Sequence, residues 1–350
     1  MVLQSEGMRD IKALSRDALS ELMARWGHPG YRARQILRWL YQRRVREFER
    51  MTDLPSDLRR RLGEEFYIGH LKIMSRERSA DGTRKFLVEL GDGCRIESVL
   101  IQEGDRLTAC ISSQVGCPLG CVFCRTGENG YRRDLQSFEI AGQVLLLQEE
   151  LAEGERITNL VFMGMGDPLL NLQEVNEALH LFLSEEGLGF SPRRVTLSTV
   201  GLTPGMAEVA SWGLKAKLAI SLNAADDETR SALMPINRKY PLSDVISACK
   251  SFPLPRGQRI TFEYVMIQGV NDRDKDAESL AGLLRGLPCK INLIPFNEWP
   301  GCTLRSPSPE KVEAFQRILL DRHYTVLTRK SKGADISAAC GLLVARTPRL

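Results

Sequence analysis

No apolar run in this 350-residue chain approaches the roughly 20 residues that a membrane-spanning helix needs. The opening stretch MVLQSEGMRDIKALS lacks the apolar core of a secretory signal, so a cytoplasmic protein without a membrane partner is expected. Short repeats and low-complexity tracts are missing as well. The nine cysteines, at 94, 110, 117, 121, 124, 249, 289, 302 and 340, are odd in number. In a cytoplasmic chain that count argues against a disulfide framework and turns any cysteine cluster toward metal or thiol chemistry. What remains is an ordinary globular balance, 43% hydrophobic and 26% charged, long enough for one large domain and a small one.

The net charge of +4 is unevenly placed. Residues 1–70 hold fourteen Lys/Arg against ten Asp/Glu, an excess equal to that of the whole chain, and seven arginines lie between Arg32 and Arg50. From charge alone, a solvated helix face and a phosphate-contacting surface stand about level.

Residues 1–68 read as helical, with Ile36-Leu37 and Leu40-Tyr41 at helical spacing and turns at Pro29-Gly30 and Leu54-Pro55. From about 70 to 110 the pattern alternates around Asp81-Gly82 and Asp92-Gly93, as antiparallel strands do. Strand and helix then take turns. Strands are expected at 107–113, 158–164, 193–199, 216–222, 260–267, 290–295 and 324–330, and helices at 137–153, 173–185, 226–234, 243–251, 274–286 and 309–322. The last helix opens with Ser308 as N-cap and Pro309. Residues 127–134 and 300–309 read as loops. Such alternation implies a parallel sheet, either doubly wound or a barrel.

The strongest chemical signal is Cys117-Pro-Leu-Gly-Cys121-Val-Phe-Cys124, beside Gly116 and Gly120. Three thiols within eight residues can wrap one metal centre. Zinc commonly takes four protein ligands, and no fourth stands nearby. Three thiolates on a 4Fe–4S cluster leave one iron open to coordinate a ligand. Gly164-Met165-Gly166-Asp167-Pro168 follows the next strand: glycines permit close backbone approach, and the acid can accept a bond from an ammonium. Without context the same residues are a plain turn. Ser198-Thr199, Ser221-Leu222-Asn223 and Asn297 put polar groups at the ends of successive strands, as a barrel-top pocket requires.

The C-x3-C-x2-C loop resembles the signature of the radical S-adenosylmethionine (SAM) superfamily, over roughly 110–300. SSQVGCPLGCVFC, NLVFMGMGDPLLN, RRVTLST, LMPINRKYPL, EYVMIQGVND, CKINLIPFN and ISAACGLL together resemble the RlmN family nearly end to end. The resemblance implies a partial (β/α) barrel at 107–350 that carries a methyl-carrier cysteine near its end. Ahead of it come a basic, RNA-contacting helical domain at 1–68 and a β-rich extension at 69–106. RlmN proteins methylate C2 of adenosine in 23S rRNA and in some tRNAs; the sister Cfr family methylates C8 of the same rRNA base. The Pro after Gly-Asp and the Pro in LIPFN look like RlmN.

By that resemblance Cys117, Cys121 and Cys124 hold one 4Fe–4S cluster. Gly166, Asp167, Ser198, Ser221, Leu222, Asn223 and Asn297 contact SAM; Asp167 stands where the usual residue is Glu, and Asn223 where the family has His. Cys340 is methylated by one SAM. A second SAM, cleaved to a radical, removes hydrogen from the S-methyl group, and the methylene adds to the base. Glu97 takes the proton from C2, and Cys110 attacks the Cys340 sulfur to release the product. A reductant protein then restores the thiols. A monomer is expected. Without the family, Cys110 reads as a strand-core cysteine and Glu97 as a surface acid. Two other readings stay open, an RNA-binding module with a structural metal and a radical SAM enzyme with another substrate.

Overall fold

The computed structural model describes residues 8–345. Part of the stretch read for a secretory signal, 1–7, and the last five residues of the expected 107–350 domain lie outside the described residues. The chain packs as two compact units, one built from the N-terminal residues to 72 with 136–156 and 173–191, the other from 73–135, 157–172 and 192 onward.

The first unit is mainly helical. Helix α1 (Arg16–Arg25) begins where Ser15 Oγ accepts from Ala18 N at 3.2 Å. Helix α2 (Tyr31–Tyr41) buries Ala33, Ile36, Leu37, Leu40 and Tyr41, one stripe at three- and four-residue spacing, and leaves Arg34 and Arg38 exposed. Helix α3 (Ser56–Glu65) buries Leu58 and Leu62. Strands β1 (Arg9–Asp10) and β2 (Phe66–Tyr67) pair in parallel. The unit also takes in α4 (Ser137–Glu149) and α5 (Leu172–Leu183), and Arg46 pairs with Glu149 of α4 at 2.8 Å.

The second unit is built on a ten-stranded sheet. Its strands are β3 (Lys72–Arg78), β4 (Arg84–Glu89), β5 (Arg95–Glu103), β6 (Arg106–Cys110), β9 (Asn159–Phe162), β10 (Val195–Thr199), β11 (Lys217–Ser221), β12 (Ile260–Met266), β13 (Cys289–Pro295) and β14 (Val326–Thr328). They lie in the order β14-β13-β12-β11-β10-β9-β6-β5-β4-β3. From β6 to β14 every pairing is parallel, while β5 is antiparallel to both β4 and β6. Helices α6 (Thr203–Ser211), α7 (Asp227–Leu233), α8 (Leu242–Ser251), α9 (Asp274–Leu283) and α10 (Pro309–Asp321) belong to the same unit. Ser308 caps α10 as its sequence predicts, accepting from Lys311 N at 3.3 Å.

Register decides what each face of this sheet carries, because side chains alternate with period two and paired residues share a side. Lys85 stands opposite Val99, Val99 opposite Cys110, Cys110 opposite Val161, and Val161 opposite Thr196. Ser198 stands opposite Ala219, Ser221 opposite Glu263, and Glu263 opposite Asn292. Lys85, Glu97, Cys110, Ser198, Ser221, Glu263 and Asn292 therefore share one face, the site face. The other, the helix face, carries Leu160, Leu197, Ile220, Phe262, Tyr264 and Leu293, all buried. Tyr264 meets Phe315 of α10 there, ring centroids 5.4 Å apart.

Two local readings are corrected. Residues 127–134 are not all loop: β8 (Tyr131–Asp134) pairs antiparallel with β7 (Gln114–Gly116). Tyr-Arg-Arg-Asp has no apolar alternation, so only its partner makes it a strand. Helix α6 was not expected, because Thr203-Pro204-Gly205 reads as a breaker. Pro204 sits in the first turn, where its missing N–H costs nothing, and a Cβ on Gly205 would come within 3.0 Å of Leu169 Cβ.

Candidate functional site

The β7–β8 hairpin frames the three-cysteine loop. Cys117 N donates to Gly130 O at 3.3 Å, and a Cβ on Gly116 (φ +80°) would lie only 1.8 Å from that oxygen, so no other residue fits there. At the far side Val122 N donates to Leu233 O of α7 at 3.0 Å. The loop is thus held at its start and near its middle, and Cys117, Cys121 and Cys124 are all half-buried.

Cys117 and Cys121 feel their neighbouring thiols. Burial and then the Cys124 charge push Cys117 up to about 12; burial, Cys124 and Cys117 push Cys121 up further. Among the described residues no three His, Cys, Asp or Glu side chains are drawn in far enough to bind an ion as they stand. Seating one requires the thiols of this loop to turn toward a common centre. As a donor set they fit an iron–sulfur cluster: soft sulfur ligands that hold their protons until a bound cation displaces them.

The glycine-rich turn after β9 is sewn to the segment after β6. Gly164 N donates to Ile111 O (3.0 Å), Met165 N to Ser112 Oγ (2.9 Å), Ser113 N to Met165 O (2.9 Å), and Asp167 N to Gln114 Oε1 (3.1 Å). A Cβ on Gly166 (φ +92°) would strike Gln114 at 2.6 Å. Gly164 lets backbone approach the Ile111 backbone, and Gly166 makes room for the Gln114 side chain. Asp167 is buried and engaged by the protein: Oδ1 accepts from Leu169 N (2.9 Å), and Oδ2 from Thr199 Oγ1 (3.0 Å) and Val200 N (2.8 Å). Burial lifts its carboxyl to about 6.

Ser198 and Ser221 stand half-buried toward the C-terminal ends of their strands, on the site face. Leu222 is buried, its N–H donating to Glu263 O at 2.9 Å. Asn223 is buried in the left-handed region, φ +61°. Its Oδ1 accepts from Val265 N (2.9 Å), its Nδ2 lies 3.2 Å from Met234 Sδ, and its carbonyl accepts from Asn271 Nδ2 (2.7 Å). It ties β11 to β12. Asn297 Nδ2 donates to Cys340 O at 2.9 Å, while its Oδ1 accepts from Ser331 Oγ.

Cys340 lies beyond the last strand and is brought back by its neighbours. Arg125 N, one residue past the cysteine loop, donates to Gly341 O at 2.7 Å; Thr126 Oγ1 donates to Leu343 O at 2.9 Å; and Val344 N donates to Glu97 Oε2 at 2.7 Å. Cys340 is exposed as a residue, yet the protein around its thiol pushes the pKa up, partly offset by the Arg329 charge. Cys110 is buried; burial, then the Cys340 charge, push it up to about 12. The two cysteines, 230 residues apart, are within electrostatic reach of each other.

Glu97 is buried, not a surface acid. Its Oε1 lies 3.3 Å from Lys85 Nζ, and burial raises its pKa against the pull of that lysine. Sequence reading missed Lys85, Arg329, Glu263 and Arg230. Glu263 Oε1 accepts from Asn292 Nδ2 at 2.9 Å and sits 4.0 Å from Arg329 Nη1. Glu263 Oε2 and Asn292 Oδ1 are buried without a partner. Two orphaned acceptors on the site face call for a donor-bearing ligand, and SAM, with its ribose hydroxyls and amines, fits that demand. A glutamate at period two among apolar residues in Ile-Thr-Phe-Glu-Tyr-Val-Met was the available signal.

Residues 111–281 match the radical SAM superfamily, and residues 9–68 match the ribosomal RNA large subunit methyltransferase N-terminal domain. The chain is 52% identical over 336 residues to the dual-specificity RNA methyltransferase RlmN of Geobacter sulfurreducens, covering 96% of this chain and 92% of that protein. It is 49% identical to the protein of the same name from Geotalea uraniireducens, covering 96% and 97%. A crystal structure of a radical SAM methyltransferase from Sphaerobacter thermophilus superposes with a TM-score of 0.90 at 42% identity, covering 97% of this chain and 100% of that one.

Proposed function

The chain belongs to the RlmN family of radical SAM RNA methyltransferases, and from that premise we propose that it methylates C2 of adenosine in 23S rRNA and in tRNA through an S-methylcysteine on Cys340. Cys117, Cys121 and Cys124 would hold the 4Fe–4S cluster. Bound there, the cluster supplies single electrons, and two SAM molecules per turnover supply the methyl group and the hydrogen-abstracting radical.

The protein's own part follows from where its side chains stand. Cys340, held at its carbonyl by Asn297, is the nucleophile that takes the methyl group; Arg329 favours its thiolate against burial. After the S-methylene radical has added to C2, the adduct loses its C2 proton to Glu97 and one electron to the one-electron acceptor that the cluster would supply. The raised pKa of Glu97 suits a base that must afterwards hold that proton. The Cys110 thiolate then attacks the Cys340 sulfur, the carbon–sulfur bond breaks with its electron pair left on the carbon, which takes a proton to become the methyl group, and the cysteines are left as a disulfide. Two electrons from a reductant protein and two protons restore the thiols. Residues 1–68 supply cationic surface for phosphate, and the enzyme works as a cytoplasmic monomer.

The observation that carries this reading is the path from Arg125 through Gly341 and Val344 to Glu97. It binds the Cys340 segment to the cluster loop on one side and to the acid on the other. The test compares two variants with RNA. Cys110→Ala should accumulate a nuclease-sensitive protein–RNA adduct, while Cys340→Ala should form none. Two variants alike, both without adduct, would remove the methyl-cysteine route. Nucleoside mass spectrometry showing 8-methyladenosine would move the target atom.

A further inference from the structure

Among the described residues of the second unit, Arg230 is the largest fully buried side chain, on α7, the helix whose Leu233 carbonyl pins Val122 of the cysteine loop. Its five bonds all end on neutral oxygens. Nε donates to Leu222 O (3.0 Å), Nη1 to Asn237 Oδ1 (2.7 Å) and Tyr240 O (3.3 Å), and Nη2 to Val200 O (2.5 Å) and Ser221 O (3.5 Å). These acceptors gather the ends of β10 and β11 around one guanidinium, but they do not neutralise it. Asp227, exposed on the same helix, spends Oδ1 on Asn237 Nδ2 (3.0 Å) and Leu242 N (2.8 Å). A buried cation without a bonded anion is costly, and burial holds the Arg230 pKa down to about 10. Leu233, which lies three residues further along α7, accepts from Val122 N at 3.0 Å, so the helix that carries Arg230 is bonded to the residue next to Cys121.

We propose that Arg230 is the built-in counter-charge of the cluster at Cys117, Cys121 and Cys124. Neutral carbonyls hold it so that its positive charge is left for the thiolate-ligated centre. This rests on the reading that those cysteines hold a 4Fe–4S cluster. A cluster with three thiolates carries net negative charge that grows by one on reduction, so a fixed buried cation favours both loading and the reduced state. Arg230 is a positioning residue in this sense: it touches the strand ends and acts on the centre through its field.

The test uses anaerobically reconstituted full-length protein and reads iron content, the midpoint of an EPR-monitored reductive titration with dithionite, and the melting temperature of the metal-free protein. Arg230→Gln should carry less iron or, at the potential that half-reduces the wild type, show roughly tenfold less reduced over oxidised cluster. Arg230→Lys keeps the charge without the fork and should recover most of that ratio despite a lowered melting temperature. Should Arg230→Gln not fold, Asn237→Asp carries the test, placing a carboxylate against Nη1; it too should make the cluster harder to reduce. The proposal is overturned if the Gln or Asp variant titrates like wild type with full iron, or if Lys behaves no better than Gln. Wild-type protein that takes up no iron would instead overturn the cluster reading itself.

Discussion

The two faces of the ten-stranded sheet are made by the same strands, yet they obey different rules. On the helix face, Leu160, Leu197, Ile220, Phe262, Tyr264 and Leu293 are buried and apolar, and each contributes area removed from water. On the site face, Lys85, Glu97, Cys110, Glu263 and Asn292 are also buried, but they are polar, titratable or nucleophilic. Two acceptors there, Glu263 Oε2 and Asn292 Oδ1, have no protein partner. Burial alone therefore does not mark a core. One face is complete as folded; the other is left incomplete in a way that a ligand completes.

The largest expected effect sets one face directly against the other. Phe262→Ala should cost about 3–5 kcal/mol of stability by cavity formation, with iron loading intact in the folded fraction. Cys110→Ala should stay within about 1 kcal/mol of wild type and lose all turnover. Denaturant midpoints beside product analysis check both. A Cys110 variant as unstable as the Phe262 one would return that cysteine to the core.

A smaller effect tests the seam between the faces, where Asp167 is held by Thr199 of the helix face. Burial lifts Asp167 from 3.8 to about 6, so the folded protein binds this proton more tightly than the unfolded chain. The resulting stabilisation is whole below the unfolded value and is lost as pH rises through the folded one. In metal-free protein, the stability difference between wild type and Asp167→Asn should fall by about 2.4 kcal/mol from pH 4 to 7. A difference that stays flat with pH would mean that the carboxylate keeps its ordinary affinity for protons. The smallest effect concerns Lys217, crowded by Lys290, Arg194, Arg106 and Arg193. Lys217→Gln should gain about 0.5 kcal/mol at low ionic strength and lose the gain at about 1 M salt. A loss of stability would show that the lysine has a partner of its own.

The alternation of strand and helix was legible because each strand is a short apolar run between caps and turns: all seven expected strands from β6 to β14 are present. The cysteine loop was legible because its chemistry is local. What escaped depends on distant neighbours. Glu97 looks like a surface acid until β4 pairs with it, Ser112 bonds its carbonyl and Val344 returns from the end of the chain. Arg230, in Asp-Glu-Thr-Arg-Ser-Ala-Leu, has the setting of a solvated helix residue; only the carbonyls of two strand ends make it buried. Asp167 and Asn223 occupy positions where the resemblance implies SAM contacts, and here their side chains also bind the protein's own backbone.

The period-two register also sets what this lineage can change. Adding or deleting one residue within Val195–Thr199 would shift the phase of that strand, bringing Leu197 or Thr199 to the side where Ser198 stands and sending Ser198 into the apolar layer. The error could not be absorbed locally, because β9 and β11 are in register on both sides. Length variation is therefore confined to the connections, and homologous chains should align without gaps through every parallel strand while differing freely in the turns between them.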